Sequence, residues 1–146
     1  MTPQEMLNYA QAYRALWGRH DLEGLLALHH SDCELHILGS DPVRSREAIR
    51  QVFADLFELI PDLHFEGRHL YAGEDHFVSE WSARGTPKRE LSLLGLEGTP
   101  QGEVHCNGTA VFTVRDGLIT SKRMYWDTLA ISRQLSTETG VAGGAG

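Results

Sequence analysis

The sequence predicts an α+β fold, a cone-shaped roll in which three N-terminal helices pack on a curved, mostly antiparallel sheet. Three observations carry this expectation. Apolar residues recur at helical spacing in three segments before Pro61, and beyond it the period changes to two. Asp116-Gly117 then sits between two alternating runs, the strongest short-range signal for a hairpin.

Local chemistry accounts for each element in turn. Thr2-Pro3-Gln4-Glu5 is a capping-box sequence with proline at the first helical position, so a helix starts near Pro3. Met6, Tyr9, Tyr13, Leu16 and Trp17 give it one apolar face, and Gly18 suits its end. Asp21 caps a short second helix carrying Leu22, Leu25, Leu26 and Leu28. Cys33 to Leu38 reads as a strand. Ser45 caps a third helix whose apolar residues, from Ala48 to Ile60, keep helical spacing until Pro61 stops it. Alternation then marks strands around Leu63 to Leu70, from His76 to Arg84, from Val104 to Val114 and from Leu118 to Trp126. Ser92 to Gly102 reads as an extended loop, of the kind that either closes a pocket or makes a plain excursion between strands.

The length of 146 residues fits one domain, expected over 1–135, with a Gly-rich tail over 136–146 that has little to bury and is expected to be disordered. A net charge of −7 with scattered basic residues repels phosphate backbones, which excludes nucleic acid as the expected partner. No run approaches the roughly 18 apolar residues of a membrane span, and the N-terminus lacks a basic segment followed by an apolar one. A cytoplasmic location without membrane contact is the expectation. Cys33 and Cys106 fit neither a disulfide framework nor a zinc spacing and read as reduced, buried thiols. His29-His30, read as helical, point about 100° apart and do not share a metal, and no other ligand spacing appears. Phosphate-cradling, dinucleotide and serine-hydrolase motifs are missing, so no metal and no cofactor is expected.

Helices across a curved sheet leave a conical space, so function turns on inward polar residues. With a two-residue turn at Asp116-Gly117, Val114 faces Ile119, Phe112 faces Ser121 and Ala110 faces Arg123. Arg123, Tyr125 and Asp127 then share the apolar inner face, where burial raises a carboxyl pKa toward acid/base use. The alternative is that Asp127 caps a helix starting at Thr128. His36 lies on the first strand with Glu34, opposite Cys33, Leu35 and Ile37, and is a candidate proton carrier. Tyr13 and Trp17, four apart, look into the core, where Tyr13 can aim its hydroxyl at a ligand oxygen. Glu80 and Trp81 point to opposite sides of their strand, and periodicity leaves open which faces inward. His105 and Asn107 face the pocket if one bulge exchanges them with Cys106 and Gly108.

The segments HDLEGLLALHHSDCELH, SREAIRQVFADLFELIPDLHFE, WSARGT and FTVRDGLITSKRMYWDTLAISRQL resemble the SnoaL-like polyketide cyclases of the nuclear-transport-factor-like superfamily, over nearly the whole chain to Leu135. The resemblance implies the cone fold, a pocket without metal or organic cofactor, a small apolar ligand and a homodimer. It also implies that Asp127 exchanges a proton in an aldol closure. Two sister groups bear on the site. Limonene-epoxide hydrolases carry a water-activating aspartate near the position of Asp127, but Val78-Ser79-Glu80 stands where their Arg-x-Asp is expected. Ketosteroid isomerases have a first-helix tyrosine, matched by Tyr13, and a base near His36, without an aspartate here. The expected activity is a cofactor-independent acid/base enzyme on an apolar, carbonyl-bearing metabolite, with a binding module or dimerising scaffold of the same fold as rivals. The expected catalytic residues are Asp127, His36 and Tyr13, with Trp17, Glu80, Arg123, Tyr125, His105 and Asn107 around the substrate.

Overall fold

A computed structural model describes residues 1–38 and 40–136. The expected tail lies outside the described residues from 137 onward, and Ser136 ends a short strand.

Helix α1 (Pro3–Gly18) begins with the capping box: Thr2 Oγ1 accepts the Glu5 N–H at 3.1 Å, and Glu5 Oε1 accepts the Thr2 N–H at 2.8 Å. Asp21 caps α2 (Leu22–Ala27) by accepting the Gly24 N–H at 2.9 Å. Strand β1 (His29–Ile37) starts earlier than alternation suggests, so His29-His30 opens a strand and not a helical turn. The two rings therefore leave the backbone on opposite sides, with His29 buried and His30 half-buried. After β2 (Val43–Arg44), Ser45 caps α3 (Arg46–Leu59), whose buried face carries Ile49, Phe53 and Leu59. Strands β3 (His64–Ala72) and β4 (His76–Gly85) follow. The Ser92–Gly102 segment holds a 3-10 turn at Ser92–Leu94, ended by left-handed Gly95 (φ 74°), and the short strand β5 (Thr99–Pro100). Then come β6 (Val104–Arg115), β7 (Leu118–Trp126), α4 (Thr128–Ser132) and β8 (Leu135–Ser136), which pairs with β5.

The main sheet runs β2-β1-β7-β6-β4-β3, antiparallel except where β1 lies parallel to β7. The helices cover one face of it, and Met6, Ala10, Tyr13, Trp17, Phe53, Phe77 and Phe112 form the core between the layers. Phe77 and Phe112 are cross-strand partners whose rings stack at 4.1 Å, each burial worth roughly 1.5–3 kcal/mol. A second cluster at the other end gathers Leu59, Ile60, Leu91, Val104, Ile131 and Leu135, so the loop and α4 close that end of the roll.

The β6–β7 hairpin determines what the inner face carries. Asp116 (φ 53°) and Gly117 (φ 77°) both adopt left-handed backbone, as a two-residue turn of the mirror-image type requires. Val114 pairs with Ile119 as expected, but Thr113 pairs with Ser121, so Thr120 is an extra residue, a β-bulge. Hydroxyls hold it: Thr113 Oγ1 lies 2.8 Å from Thr120 Oγ1 and 2.7 Å from Ser121 Oγ. Beyond the bulge every residue of β7 changes face. Phe112 faces Lys122, Ala110 faces Met124 and Gly108 faces Trp126, in place of the expected Phe112–Ser121 and Ala110–Arg123 pairs.

Candidate active site

The inner face of β7 presents Lys122, Met124 and Trp126, and the first of these was not foreseen. Lys122 is 4% exposed, and its Nζ donates to the Tyr13 hydroxyl of α1 at 3.0 Å. Aromatic rings surround the amine: the centroid of Trp17 lies 4.6 Å away, Phe53 5.0 Å, and Tyr13 and Phe112 5.3 Å each. Among the described residues no carboxylate forms an ion pair with it, and Tyr13 is its hydrogen-bond partner. Burial therefore pushes the amine down from its ordinary 10.5 to about 7. The ring faces act in the opposite direction, since each attracts a cation by about 0.5–2 kcal/mol, but removing an ammonium from water costs several. Burial likewise holds the Tyr13 phenol far above its usual range, so it remains a proton donor.

These groups border a cavity of about 110 Å³, somewhat below the roughly 150 Å³ that accommodates one benzene ring. Its walls are mostly apolar, with Trp17, Phe53, Phe65, Trp81 and Leu94 prominent. A second chamber of about 90 Å³ shares Leu56, Phe65, Trp81, Leu94, Met124 and Trp126 with the first and reaches Ile60, Leu91 and Ile131. Gly108 shapes the junction, because a Cβ there would meet the Trp81 ring at 2.3 Å. The Trp126 ring borders both chambers, and its indole N–H is buried without a hydrogen-bond partner. Lys122 and Trp126 are four residues apart on one face, roughly 13 Å along the strand, so the amine and the indole mark two ends of the space.

Two further polar groups stand close by. Arg14 on α1 lies at the cavity edge, donating from Nε to Ser79 Oγ at 3.0 Å and from Nη2 to the carbonyls of His69 and Glu80 at 2.8 Å. Gly67 gives it room, since a Cβ there would meet its Nη1 at 2.3 Å. His29 Nδ1 lies 2.7 Å from the Leu25 carbonyl and donates to it, which leaves Nε2 a buried acceptor without a partner. Burial, reinforced by the nearby Lys122 and Arg46 charges, lowers His29 to about 4, and it stays neutral at physiological pH.

Of the residues singled out from the sequence, the cavity brings together Tyr13 and Trp17, both buried. The others lie on the outer face of the sheet or at its end, with His105 also bordering the second chamber at its rim. Asp127 is exposed and caps α4, its Oδ1 accepting the Ala130 N–H at 3.0 Å, so the desolvated carboxyl expected there is replaced by a helix cap. Arg123 and Tyr125 are exposed because the Thr120 bulge turned them outward. His36 is half-buried on the outer face, 3.1 Å from Glu34 Oε1 and in register with Arg123. Trp81 takes the inner side of β4, so Glu80 points out, level with Thr109 and Tyr125. His105 and Asn107 are exposed, because the bulge falls in β7 and leaves Cys106 and Gly108 facing inward on β6. Glu80, Asn107, Tyr125 and Asp127 meet in a shallow, open depression with Arg68 and His69, outside the cone.

Three helices closing a six-stranded sheet around an apolar cavity define a ketosteroid-isomerase-like cone, and solved structures share it. A putative polyketide cyclase from Xanthomonas campestris pv. campestris superposes with a TM-score of 0.76 at 21% identity, covering 92% of this chain and 98% of that one. A ketosteroid isomerase-like fold protein from Catenulispora acidiphila gives 0.72 at 19%, covering 92% and 94%. An LEH-like epoxide hydrolase from M. tuberculosis gives 0.72 at 16%, covering 91% and 90%. At these identities the likeness is one of fold. No curated protein sequence matches the chain. The family model described as SnoaL-like polyketide cyclase matches residues 8–135, and the chain belongs to that family.

Proposed function

We propose that the protein is a cofactor-independent acid/base enzyme acting on a small, mostly apolar, carbonyl-bearing compound, by aldol closure or isomerisation, with Lys122 and Tyr13 moving the protons. The observation that carries this reading is the Lys122 amine, buried against the Tyr13 hydroxyl in an apolar cavity. Near neutral pH such an amine is present in both protonation states, which suits a general base and its conjugate acid. The Tyr13 phenol donates to the carbonyl oxygen while Lys122 takes a proton from the adjacent carbon. The two adjoining chambers, of about 110 and 90 Å³, together favour a ligand of one ring or a short branched chain. Carboxylate-activated attack by water, as an epoxide hydrolase reading would need, has less support, because Glu80 and Asp127 stand outside the cavity.

The unpartnered Trp126 N–H favours a second reading, a binding module that holds an oxygen-bearing apolar guest without turning it over. Deuterium exchange at the α-carbon of small cyclic ketones in D₂O, followed by NMR, separates the two. The enzyme reading predicts exchange about 10²–10⁴-fold above buffer, lost in Lys122→Met and kept in Asp127→Asn. Binding without faster exchange selects the module.

A further inference from the structure

We propose that Lys122 is also a nucleophile: its Nζ condenses reversibly with a small apolar aldehyde or ketone in the cavity to form an imine. This rests on the acid/base reading of the same cavity and narrows its ligand to compounds with an unhindered carbonyl.

Three features of the site support it. The chain has two lysines, and the other, Lys88, is exposed and paired with Glu58, which makes Lys122 the amine of the cavity. Among the described residues Lys122 has no carboxylate partner to hold it as an ammonium, and its bond to Tyr13 engages one N–H while leaving the nitrogen lone pair unused. The same bond makes Tyr13 an acceptor, so the phenol's own proton is free to point at a ligand oxygen. With its pKa near 7, about half of the amine is the free base at neutral pH.

The step balances without any co-reactant. The Nζ lone pair attacks the carbonyl carbon, a C–N bond forms, and the C=O π pair moves to oxygen. That oxygen takes a proton from Tyr13, which is replenished by the proton the nitrogen sheds, giving a carbinolamine. The nitrogen lone pair then expels the hydroxyl, which leaves as water with the second N–H proton, and the imine remains. The apolar walls favour this last step, because they offer the departing water no hydrogen bonds.

The test uses the full-length Lys88→Arg protein, whose amines are Lys122 and the N-terminus, with benzaldehyde and cyanoborohydride at pH 7. Intact mass and peptide mapping should show one adduct, heavier than the protein by the aldehyde less one oxygen atom. It should sit on Lys122, saturate with benzaldehyde and be suppressed by toluene as a non-carbonyl competitor. Lys122→Arg should lose it, and Tyr13→Phe should slow it by about 10²-fold. Adduct confined to the N-terminus, or formed on both amines at equal rates, overturns the proposal. Tryptophan fluorescence tells how far the failure extends, because all three tryptophans, Trp17, Trp81 and Trp126, line the cavity. Benzaldehyde that quenches without an adduct overturns the imine and leaves the acid/base reading standing; benzaldehyde that does neither overturns both.

Discussion

Replacing Lys122 with methionine should make the protein more stable near neutral pH, the opposite of what removing a buried hydrogen bond usually does. Between pH 7 and 10.5 the unfolded chain binds the lysine proton and the folded chain does not. Stability therefore rises with pH across that window, by about 1.4 kcal/mol for each unit. Over the whole window the burial of this one amine costs about 5 kcal/mol below pH 7, and the cost disappears as the unfolded lysine loses its own proton. Methionine is of similar length and apolar, so it keeps the packing against Trp17, Phe53 and Phe112 while removing the penalty. What it loses is the donor to Tyr13, worth about 1–3 kcal/mol when the hydroxyl is left unsatisfied. The net expectation is a gain of about 2–4 kcal/mol at pH 7, shrinking to a loss above pH 10. Urea unfolding at several pH values between 6 and 10 measures it. A wild-type protein whose stability does not rise above pH 7, or a methionine variant that keeps the same slope, would refute the reasoning.

Other expectations follow from single groups. Asp127→Ala should cost about 1 kcal/mol of stability through the lost cap, with Asp127→Asn close to wild type, and both should leave ligand quenching of tryptophan unchanged. Thermal melts and fluorescence titrations check this. Gly108→Ala forces a Cβ into the Trp81 ring and should destabilise by about 1–3 kcal/mol, with an altered tryptophan emission spectrum as its signature. On the acid side, His29 is lowered from 6.5 to about 4, so stability should fall as the pH drops through that interval, where the unfolded histidine protonates and the folded one does not. This acid limb should persist in Lys122→Met, whose unfolding can be followed by urea titration at pH 4 to 7.

The elements of the fold were legible because each is announced by local chemistry. The Thr2–Glu5 box, the caps at Asp21 and Ser45, the stop at Pro61 and the Asp116-Gly117 turn all act within a few residues. Tyr13 and Trp17 were legible for the same reason, since four-residue spacing on a helix fixes a face. The strand residues were not, because their facing depends on a register that one inserted residue reverses. Thr120 is that residue, and it carried Arg123 and Tyr125 outward and Lys122 inward. The signal was present in the sequence: Ile119 and the Met124–Trp126 pair belong to opposite phases of one strand, and two phases imply a bulge between them. Glu80 and Trp81 were separable only by knowing that Gly108, across the strand pair, leaves room for an indole. Asp127 illustrates a different limit, because the same residue type suits a cap and a catalytic role, and here the helix that follows, Thr128–Ser132, takes it as a cap.

Both proton transfer and imine formation in the cone need an amine that titrates near neutrality. With two lysines in the chain, ¹³C-lysine labelling gives two side-chain signals, which Lys88→Arg and Lys122→Met assign. A pH titration of the Lys122 ¹³Cε resonance is predicted to show a midpoint near 7. A midpoint near the roughly 10.4 of a lysine in water would contradict it.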